Sequence, residues 1–397
     1  MLAPGIEAFP LRFTGTGGEF FRVWIVNVLL SIVTLGFYTP FARRRTAQYF
    51  FSHTDVAGSP LEFTAQQRKM VIGFLVLVGL YIAFNVASET GQDATVAFFM
   101  LAGAVLAPYF WASAMRFRLS ATRWRGLRLQ FAPSWGEVYK ASWPVFVIAL
   151  VWIGVSFAAG VLFEPSQATG RGPRLPKIPG VFWLAVAAAL VATVLCTIRL
   201  EFNYKSLLVL RARIGGESGR WKPVYGDFVR IWLATLGVLF LSMLTMVALI
   251  AGVVFLFVGK SKVPADLGSL GFALLVLVPL AALVGMLVAI APVRAYREAR
   301  MFQLVWNNVG VSQIARFKCD LSAWRYVLLR IRNVLLTVFT LGFWRPFARV
   351  SEHRMRTESV TLHVKGGLDQ LAGRLARQQE GGVGDALADA VGLDLVG

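Results

Sequence analysis

The segment Asn27-Val-Leu-Leu-Ser-Ile-Val-Thr-Leu-Gly-Phe-Tyr-Thr-Pro-Phe-Ala-Arg43 returns near the other end of the chain as Asn333-Val-Leu-Leu-Thr-Val-Phe-Thr-Leu-Gly-Phe-Trp-Arg-Pro-Phe-Ala-Arg349. Twelve of the 17 positions are identical, and the matches include Asn, Gly, Pro and Arg as well as apolar residues. Glycine can end a helix or let two backbones approach, and proline interrupts or kinks a helix. We therefore predict an internal repeat whose structural residues are Asn27, Gly36, Pro40, Arg43, Asn333, Gly342, Pro346 and Arg349.

Between the two copies the chain is dominated by long apolar segments. Hydrophobic residues make up 57% of the 397 residues and charged residues only 15%, below the roughly 25% of soluble domains. About 20 apolar residues in a helix cross a bilayer, where only internal hydrogen bonds satisfy the backbone. Six segments without charge approach or exceed this length: Met70–Ser88, Ala94–Ala112, Trp143–Phe163, Gly180–Ile198, Ile231–Val258 and Leu267–Ala291. They predict an all-α membrane protein, a multi-pass helical bundle with internal repeats.

The positions of the basic residues predict an orientation. If the six segments span the membrane and both ends face the cytoplasm, 35 of the 40 Lys and Arg residues lie on the cytoplasmic side, as the positive-inside rule requires. Such a face attracts anionic lipid headgroups, so we expect membrane lipids rather than nucleic acid as partners; protein partners are not indicated. We assign residues 1–367 to the repeated membrane domain and residues 368–397 to a polar C-terminal tail.

The two repeated segments leave the number of spans open between six and eight. Val23–Tyr38 and Asn333–Trp344 are short for a full crossing. If both crossed, the basic region from Arg345 onward would lie outside, against the positive-inside rule. We therefore favour re-entrant or interfacial segments over full spans.

Two polar connections repeat more weakly. Pro40, Thr54, Gly58, Leu61 and Phe63 correspond at one constant offset to Pro108, Thr122, Gly126, Leu129 and Phe131. A short extended run around a glycine is compatible with a small hairpin, so we expect small cytoplasmic hairpins at Thr54–Phe63 and Thr122–Phe131.

A third recurring pattern places an acid before an apolar segment, at Glu19, Glu137 and Asp227. An acid in the first turn favours the helix dipole and can pair with the base three residues later. The alternative is that the acids line a cation path. We favour the helix-start interpretation.

No catalytic, cofactor or metal motif is present. The three histidines show no HExxH-like spacing, and neither Cys196 nor Cys319 belongs to a CxxC pattern. Glu352 and His353 lie in a basic run, where we expect a solvated surface pair. We therefore predict neither enzymatic activity nor a cofactor.

These motifs make the chain resemble the YjgN-like family of bacterial inner-membrane proteins, which is defined by a domain of unknown function. The residues that carry the resemblance are Phe13–Gly15, Gly18–Arg22, Asn27–Arg43, Thr122–Arg128 and Asn333–Arg349, with the acidic C-terminal segment Asp385–Asp394. The Pro-rich stretch Glu164–Pro179 departs from the family as a local insertion. The resemblance implies a location in the bacterial inner membrane and supplies no catalytic residue.

Two function classes remain. The favoured one is a scaffold, or a membrane protein that interacts with lipids or partners through its basic face. The alternative is a transporter or permeation pathway for a small solute, although the six segments contain no ionisable residue of the kind that marks proton-coupled routes.

Overall fold

The computed structural model describes residues 6–90, 93–162, 180–214, 217–222, 224–258, 267–311, 315–367 and 373. The predicted insertion at Glu164–Pro179 and the acidic segment Asp385–Asp394 lie outside these residues. Most of the described chain is helical. The helices are α1 (Gly17–Val33), α2 (Thr39–Ser52), α3 (Gln67–Glu89), α4 (Asp93–Ser120), α5 (Trp135–Ala141), α6 (Trp143–Leu162), α7 (Gly180–Arg211), α8 (Tyr225–Val258), α9 (Leu267–Asn308), α10 (Ala323–Phe339) and α11 (Arg345–Glu358).

Short strands connect the helices and form one antiparallel sheet. They are β1 (Ile6–Pro10), β2 (Arg12–Phe13), β3 (Thr54–Val56), β4 (Ser59–Phe63), β5 (Thr122–Trp124), β6 (Leu127–Phe131), β7 (Ala212–Ile214), β8 (Glu217–Trp221), β9 (Val309–Val311), β10 (Ala315–Cys319) and β11 (Val360–Lys365). Their order is β1-β11-β10-β9-β8-β7-β6-β5-β4-β3-β2. The two edge strands β1 and β2 are separated in the chain only by Leu11, whose N–H donates to the Val360 carbonyl at 2.9 Å. The sheet therefore closes into a barrel-like ring.

Every strand hairpin lies between two helical pairs. The hairpin β3–β4 follows α2, β5–β6 follows α4, β7–β8 follows α7 and β9–β10 follows α9, while β11 follows α11 and pairs with β1. Strand β4 pairs with β5, and β6 pairs with β7. The helices that connect the two strands of each pair therefore leave the ring and return to it. The ring therefore lies at one end of the helical bundle.

The expected hairpins at Thr54–Phe63 and Thr122–Phe131 are present. The first turns at Ala57-Gly58, with φ of 53° and 78°, and the second at Arg125-Gly126, with φ of 50° and 76°. Two consecutive positive φ angles are typical of the two-residue turn whose twist matches that of paired strands.

The fold class predicted from the sequence is wrong in two respects. The protein is not all-α, because the connections form an 11-stranded sheet. Six to eight membrane-crossing helices are not found either: within the described residues, four helices are long and apolar enough to cross a membrane, namely Gln67–Glu89, Trp143–Gly160, Gly180–Arg211 and Tyr225–Ala248. Few residues of these four helices are buried inside the protein, at 6–17% of each apolar stretch, as surrounding hydrocarbon would permit.

The error has identifiable causes. Strands of two to six residues give no periodic signal, and only pairing between distant hairpins stabilises them. The predicted segment Ala94–Ala112 continues in α4 to Arg116 and Arg118, which lower the mean hydropathy of its described part. The predicted segment Leu267–Ala291 lies in α9, and many of its side chains are not among those that the structure describes, so it is not among the four helices named above.

Each copy of the repeated segment bends into a helical hairpin. In both copies a leucine and the following glycine take positive φ, with 48° and 91° at Leu35 and Gly36 and 50° and 96° at Leu341 and Gly342. The N–H of each glycine donates at 2.7 Å to the carbonyl five residues earlier. The leucines at the two tips are about nine-tenths exposed, at 90% and 91%.

The two terminal hairpins pack against each other. The Phe21 ring of α1 stacks on the Phe347 ring of α11 with centroids 5.8 Å apart. Arg354 of α11 donates through Nη2 to the Gly15 carbonyl at 2.8 Å. The first and last helical hairpins are thereby joined near the place where the ring of strands closes.

Candidate functional site

The repeated residues that shape the hairpins occupy matching places. Gly36 and Gly342 form the turns described above, and Pro40 and Pro346 stand in the first turns of α2 and α11. Proline is favourable there because its missing N–H would have no partner within the helix. These four residues therefore have structural roles.

The two repeated asparagines connect the arms of their hairpins. Asn27 Nδ2 donates to the Ala42 carbonyl and Asn333 Nδ2 to the Ala348 carbonyl, both at 3.4 Å. Both asparagines are buried, and both Oδ1 atoms lack a hydrogen-bond partner within the described part of the chain. A buried acceptor without a partner is costly, and this cost recurs at the same asparagine oxygen in both hairpins.

The helix-start acids lie apart from one another. Glu19 and Glu137 form capping boxes with Thr16 and Ser134, and the backbone hydrogen bonds to these caps are the main cause of their lowered pKa values. Asp227 lies in the first turn of α8, 3.5 Å from Arg230. No contact among the described residues joins the three acids.

A groove lined by three arginines is the most distinctive feature of the terminal hairpins. Arg43 of α2, Arg118 of α4 and Arg349 of α11 line a cavity of about 1060 Å³, called here the arginine groove. All three side chains are exposed, and none forms an ion pair with a described acid. The remaining lining residues are Trp24, Asn27, Val28, Ser31, Ile32, Thr39, Ala42, Thr46, Ala47, Phe51, Phe63, Met70, Ala114, Phe117, Leu119, Thr122 and Leu129.

The charge of the groove is uncompensated by its own lining, which includes no acid. Desolvation by its surroundings lowers the pKa of Arg349, the nearby Arg345 lowers it further, and Glu352 opposes the shift. An anion with several acceptor oxygens would relieve the repulsion, since guanidinium groups bind phosphate and carboxylate through paired hydrogen bonds. Among the predicted repeat residues, Asn27, Arg43 and Arg349 come together in this groove.

The expectation that Glu352 and His353 form a solvated surface pair is wrong. Glu352 is buried and accepts hydrogen bonds from Arg330 and from Asn333 Nδ2, the latter at 3.0 Å. His353 Nε2 lies 3.2 Å from Thr54 Oγ1, and burial lowers its pKa to about 4, with Arg356 adding to the shift. The only sequence signal was that an acid stood alone in a basic run.

Glu352 belongs to a charged network that fastens α9, α10 and α11 together. Arg330 of α10 also lies 3.8 Å from Glu298 of α9, and Glu298 pairs with Arg356 of α11 at 2.5 Å. The Tyr326 hydroxyl is buried nearby, and desolvation is the main cause of its raised pKa. The two acids and the two arginines of this network neutralise each other. The network therefore stabilises the packing of the three helices and has no net charge that would attract a ligand.

A second basic pocket lies between α7, α9 and α10. It measures about 700 Å³ and includes Lys205, Arg294, Arg297 and Arg330 together with Glu201 and Glu298. Lys205 Nζ is 3.0 Å from Glu201 Oε1, so part of its charge is already neutralised. Sequence reasoning missed this pocket because its residues come from helices far apart in the chain.

The described residues include no group of three or more His, Cys, Asp or Glu side chains that could hold a metal ion. Cys196 and Cys319 are buried and free. The arginine groove is therefore the candidate site.

Comparison with known proteins gives partial matches to inner-membrane proteins. Two proteins named inner membrane protein YjgN are 26% identical over 145 residues (Escherichia coli O157:H7) and 27% identical over 143 residues (Salmonella typhimurium), each alignment covering 36% of this chain. A third, from Escherichia coli K12, is 24% identical over 157 residues, or 40% of this chain. The matches span 36%, 35% and 39% of the respective relatives.

No solved structure matches this chain. The names of the relatives agree with the four apolar helices in supporting a membrane protein. The family described as bacterial protein of unknown function (DUF898) matches residues 8–390, and the chain therefore belongs to this family.

Proposed function

We propose that this protein is a multi-pass inner-membrane protein that holds anionic lipid headgroups at its cytoplasmic face. The arginine groove is the observation that carries the proposal, because it gathers three guanidinium groups on a lining without acids. A lipid phosphate supplies the acceptor oxygens that such a group of arginines binds best. Its activity is thus binding, in the manner of a membrane scaffold, rather than catalysis.

The fold supports more than one membrane crossing. Four helices are long and apolar enough to cross, and the sheet collects the strand hairpins at one end of the bundle. Five of the 40 Lys and Arg residues lie in Glu164–Pro179 and Gly259–Asp266, the connections that follow α6 and α8, and the other 35 lie elsewhere in the chain. The positive-inside rule then puts the ring of strands in the cytoplasm.

The surroundings of the groove suit a lipid better than a free anion. Its wall includes Trp24, Ile32 and Met70 beside the arginines. Ile32 lies near the exposed tip of the first helical hairpin, which presents apolar side chains that hydrocarbon would cover. A headgroup phosphate at the arginines would therefore leave its acyl chains next to apolar protein surface.

Lipid binding by the full chain in nanodiscs tests the proposal. We expect native mass spectrometry to show that phosphatidylglycerol stays bound in preference to phosphatidylcholine. Each basic residue near anionic lipid contributes about 1 kcal/mol, so the double variant Arg43→Gln/Arg349→Gln should weaken phosphatidylglycerol binding roughly 30-fold.

The matched control removes the same charge from another surface. Arg213 and Arg316 are exposed on β7 and β10, and the double variant Arg213→Gln/Arg316→Gln should retain phosphatidylglycerol binding. Equal losses in the two double variants would show that overall charge attracts the lipid and would reject the groove.

A further inference from the structure

The second basic pocket, between α7, α9 and α10, carries positive charge that no described acid neutralises. Its four basic side chains are those of Lys205, Arg294, Arg297 and Arg330. Lys205 pairs with Glu201, and Arg330 belongs to the balanced network of two acids and two arginines described above. The guanidinium groups of Arg294 and Arg297 therefore remain without an acid among the described residues.

Both guanidinium groups are open to a ligand. Arg294 and Arg297 are three residues apart on α9, on the face that lines the pocket. Arg294 is exposed, and no side-chain nitrogen of Arg297 is among the buried atoms that lack a partner. Neither side chain donates a hydrogen bond to a described residue. Their N–H groups are therefore accessible and can bind acceptor oxygens.

Arg297 is held in place by a contact that leaves its hydrogen-bond donors unused. Its Cζ atom lies 4.7 Å from the centre of the Trp232 ring of α8. Trp232 is fixed in turn, because its Nε1 donates at 3.0 Å to Glu201 Oε2. A guanidinium that packs on an aromatic ring keeps its N–H groups for other partners, and a side chain already held in position loses less entropy when it binds a ligand.

The pocket lies just beyond the apolar segments of two helices. The charge-free segments end at Ile198 in α7 and at Ala291 in α9, and Glu201 and Arg294 each follow three residues later. At 1.5 Å per residue, these side chains start about 5 Å from the ends of the segments. The headgroup layer of a bilayer is about 5–8 Å thick on each side, and basic pockets between membrane helices at this level bind phosphate-bearing headgroups.

Charge and volume favour a terminal phosphate as the ligand. A phosphate monoester carries a charge of about −1.5 to −2 at pH 7 and three acceptor oxygens, which matches the two guanidinium groups that have no acid. A phosphodiester, as in phosphatidylglycerol, offers less charge. The volume of about 700 Å³ leaves room for the rest of the molecule, which can pack against Leu208, Met301 and Val305 on the same wall.

We propose that the pocket between α7, α9 and α10 binds a terminal phosphate group through the guanidinium groups of Arg294 and Arg297. The source of that phosphate is either a lipid headgroup, as in phosphatidic acid, or a soluble phosphate compound. The pocket shares no lining residue with the arginine groove, so this inference does not rest on headgroup binding there.

Two binding measurements on the full chain separate the two sources. In phosphatidylcholine nanodiscs that contain both phosphatidic acid and phosphatidylglycerol, native mass spectrometry measures which lipid stays bound. In detergent without phosphatidic acid, equilibrium dialysis with radiolabelled inorganic phosphate measures binding of the free anion. We expect preferential retention of phosphatidic acid if the source is a lipid, and saturable binding of inorganic phosphate if it is soluble; absence of both would overturn the proposal.

Variants assign the binding to the pocket. Arg294→Gln should weaken the observed phosphate binding about fivefold, and the double variant Arg294→Gln/Arg297→Gln about 30-fold. Arg300→Gln is the matched control, because Arg300 is exposed on the same helix but lines a different pocket. This control should bind phosphate as the unmodified protein does.

Two results would contradict the assignment. Equal losses in Arg294→Gln and Arg300→Gln would show that overall charge attracts the phosphate, and this comparison holds even if the double variant fails to fold. A loss in Arg43→Gln/Arg349→Gln without a loss in Arg294→Gln/Arg297→Gln would place the phosphate in the arginine groove and reject the pocket.

Discussion

Replacing Glu352 with glutamine should lower the free energy of unfolding by about 2 kcal/mol. Glutamine keeps the size of Glu352 and can still accept the hydrogen bond from Asn333 Nδ2, but it loses the charge that pairs with Arg330. Removing one partner of a buried ion pair costs about 3–5 kcal/mol. We take a smaller value because the Arg330 side chain is 28% exposed and keeps Glu298 at 3.8 Å.

Unfolding of the full chain in mixed micelles, followed by circular dichroism, measures this loss. Asp320→Asn is the matched control, because Asp320 also pairs with a base, Lys318 at 3.5 Å, but both side chains are more than half exposed. Exposed pairs contribute about 0–1 kcal/mol, so this variant should stay close to the unmodified protein.

A double variant separates the ion pair from packing. Glu352→Gln leaves the half-buried Arg330 without its nearer acid, and adding Arg330→Met removes that cation. The loss of unfolding free energy in the double variant should therefore be smaller than the sum of the losses in the two single variants. Strict additivity, or equal losses for Glu352→Gln and Asp320→Asn, would refute the view that a buried charged network holds α9, α10 and α11 together.

Two further predictions concern pH and orientation. The pKa of His353 is lowered from 6.5 to about 4 in the folded protein, so the unfolded chain binds the proton more readily and stability should fall by about 3 kcal/mol as the pH drops from about 6.5 to about 4. His353→Gln should flatten that part of the stability curve, and an unchanged curve would contradict the assignment. For orientation, Arg123→Cys and Ser218→Cys place thiols on β5 and β8, and a membrane-impermeant maleimide should label them only after the inner membrane is opened; labelling in cells with an intact inner membrane would reverse the proposed orientation.

The sequence identified the helical segments well because a long run of apolar residues without charge predicts a helix from neighbouring residues alone. The six charge-free segments all lie in helices, apart from Phe163, which is outside the described residues. The bend at Leu35-Gly36 and Leu341-Gly342 was also signalled locally, because glycine accepts the positive φ that the turn requires. The asparagines of the repeat were recognised as a pair, although their partners across the hairpins were not.

The candidate site could be predicted only in fragments. Arg43 and Arg349 were singled out as matching residues of the two copies, but their meeting in one groove with Arg118 depends on the packing of α11 beside α1. Glu352 was misjudged for the same reason, since its partner Arg330 lies 22 positions away on another helix.

The sequence by itself determined the apolar helices, the two repeated helical bends and the signs of the charges, because hydropathy, glycine and proline act within a few residues of chain. Only the tertiary structure decided that the polar connections form one closed sheet, that Arg43, Arg118 and Arg349 share a groove, and that Glu352 is buried. The physical reason is that a short strand gains its ladder hydrogen bonds from a partner elsewhere in the chain, as β5 does from β4 and β11 from β10. The sequence of one such strand contains no pattern that identifies the strand with which it pairs.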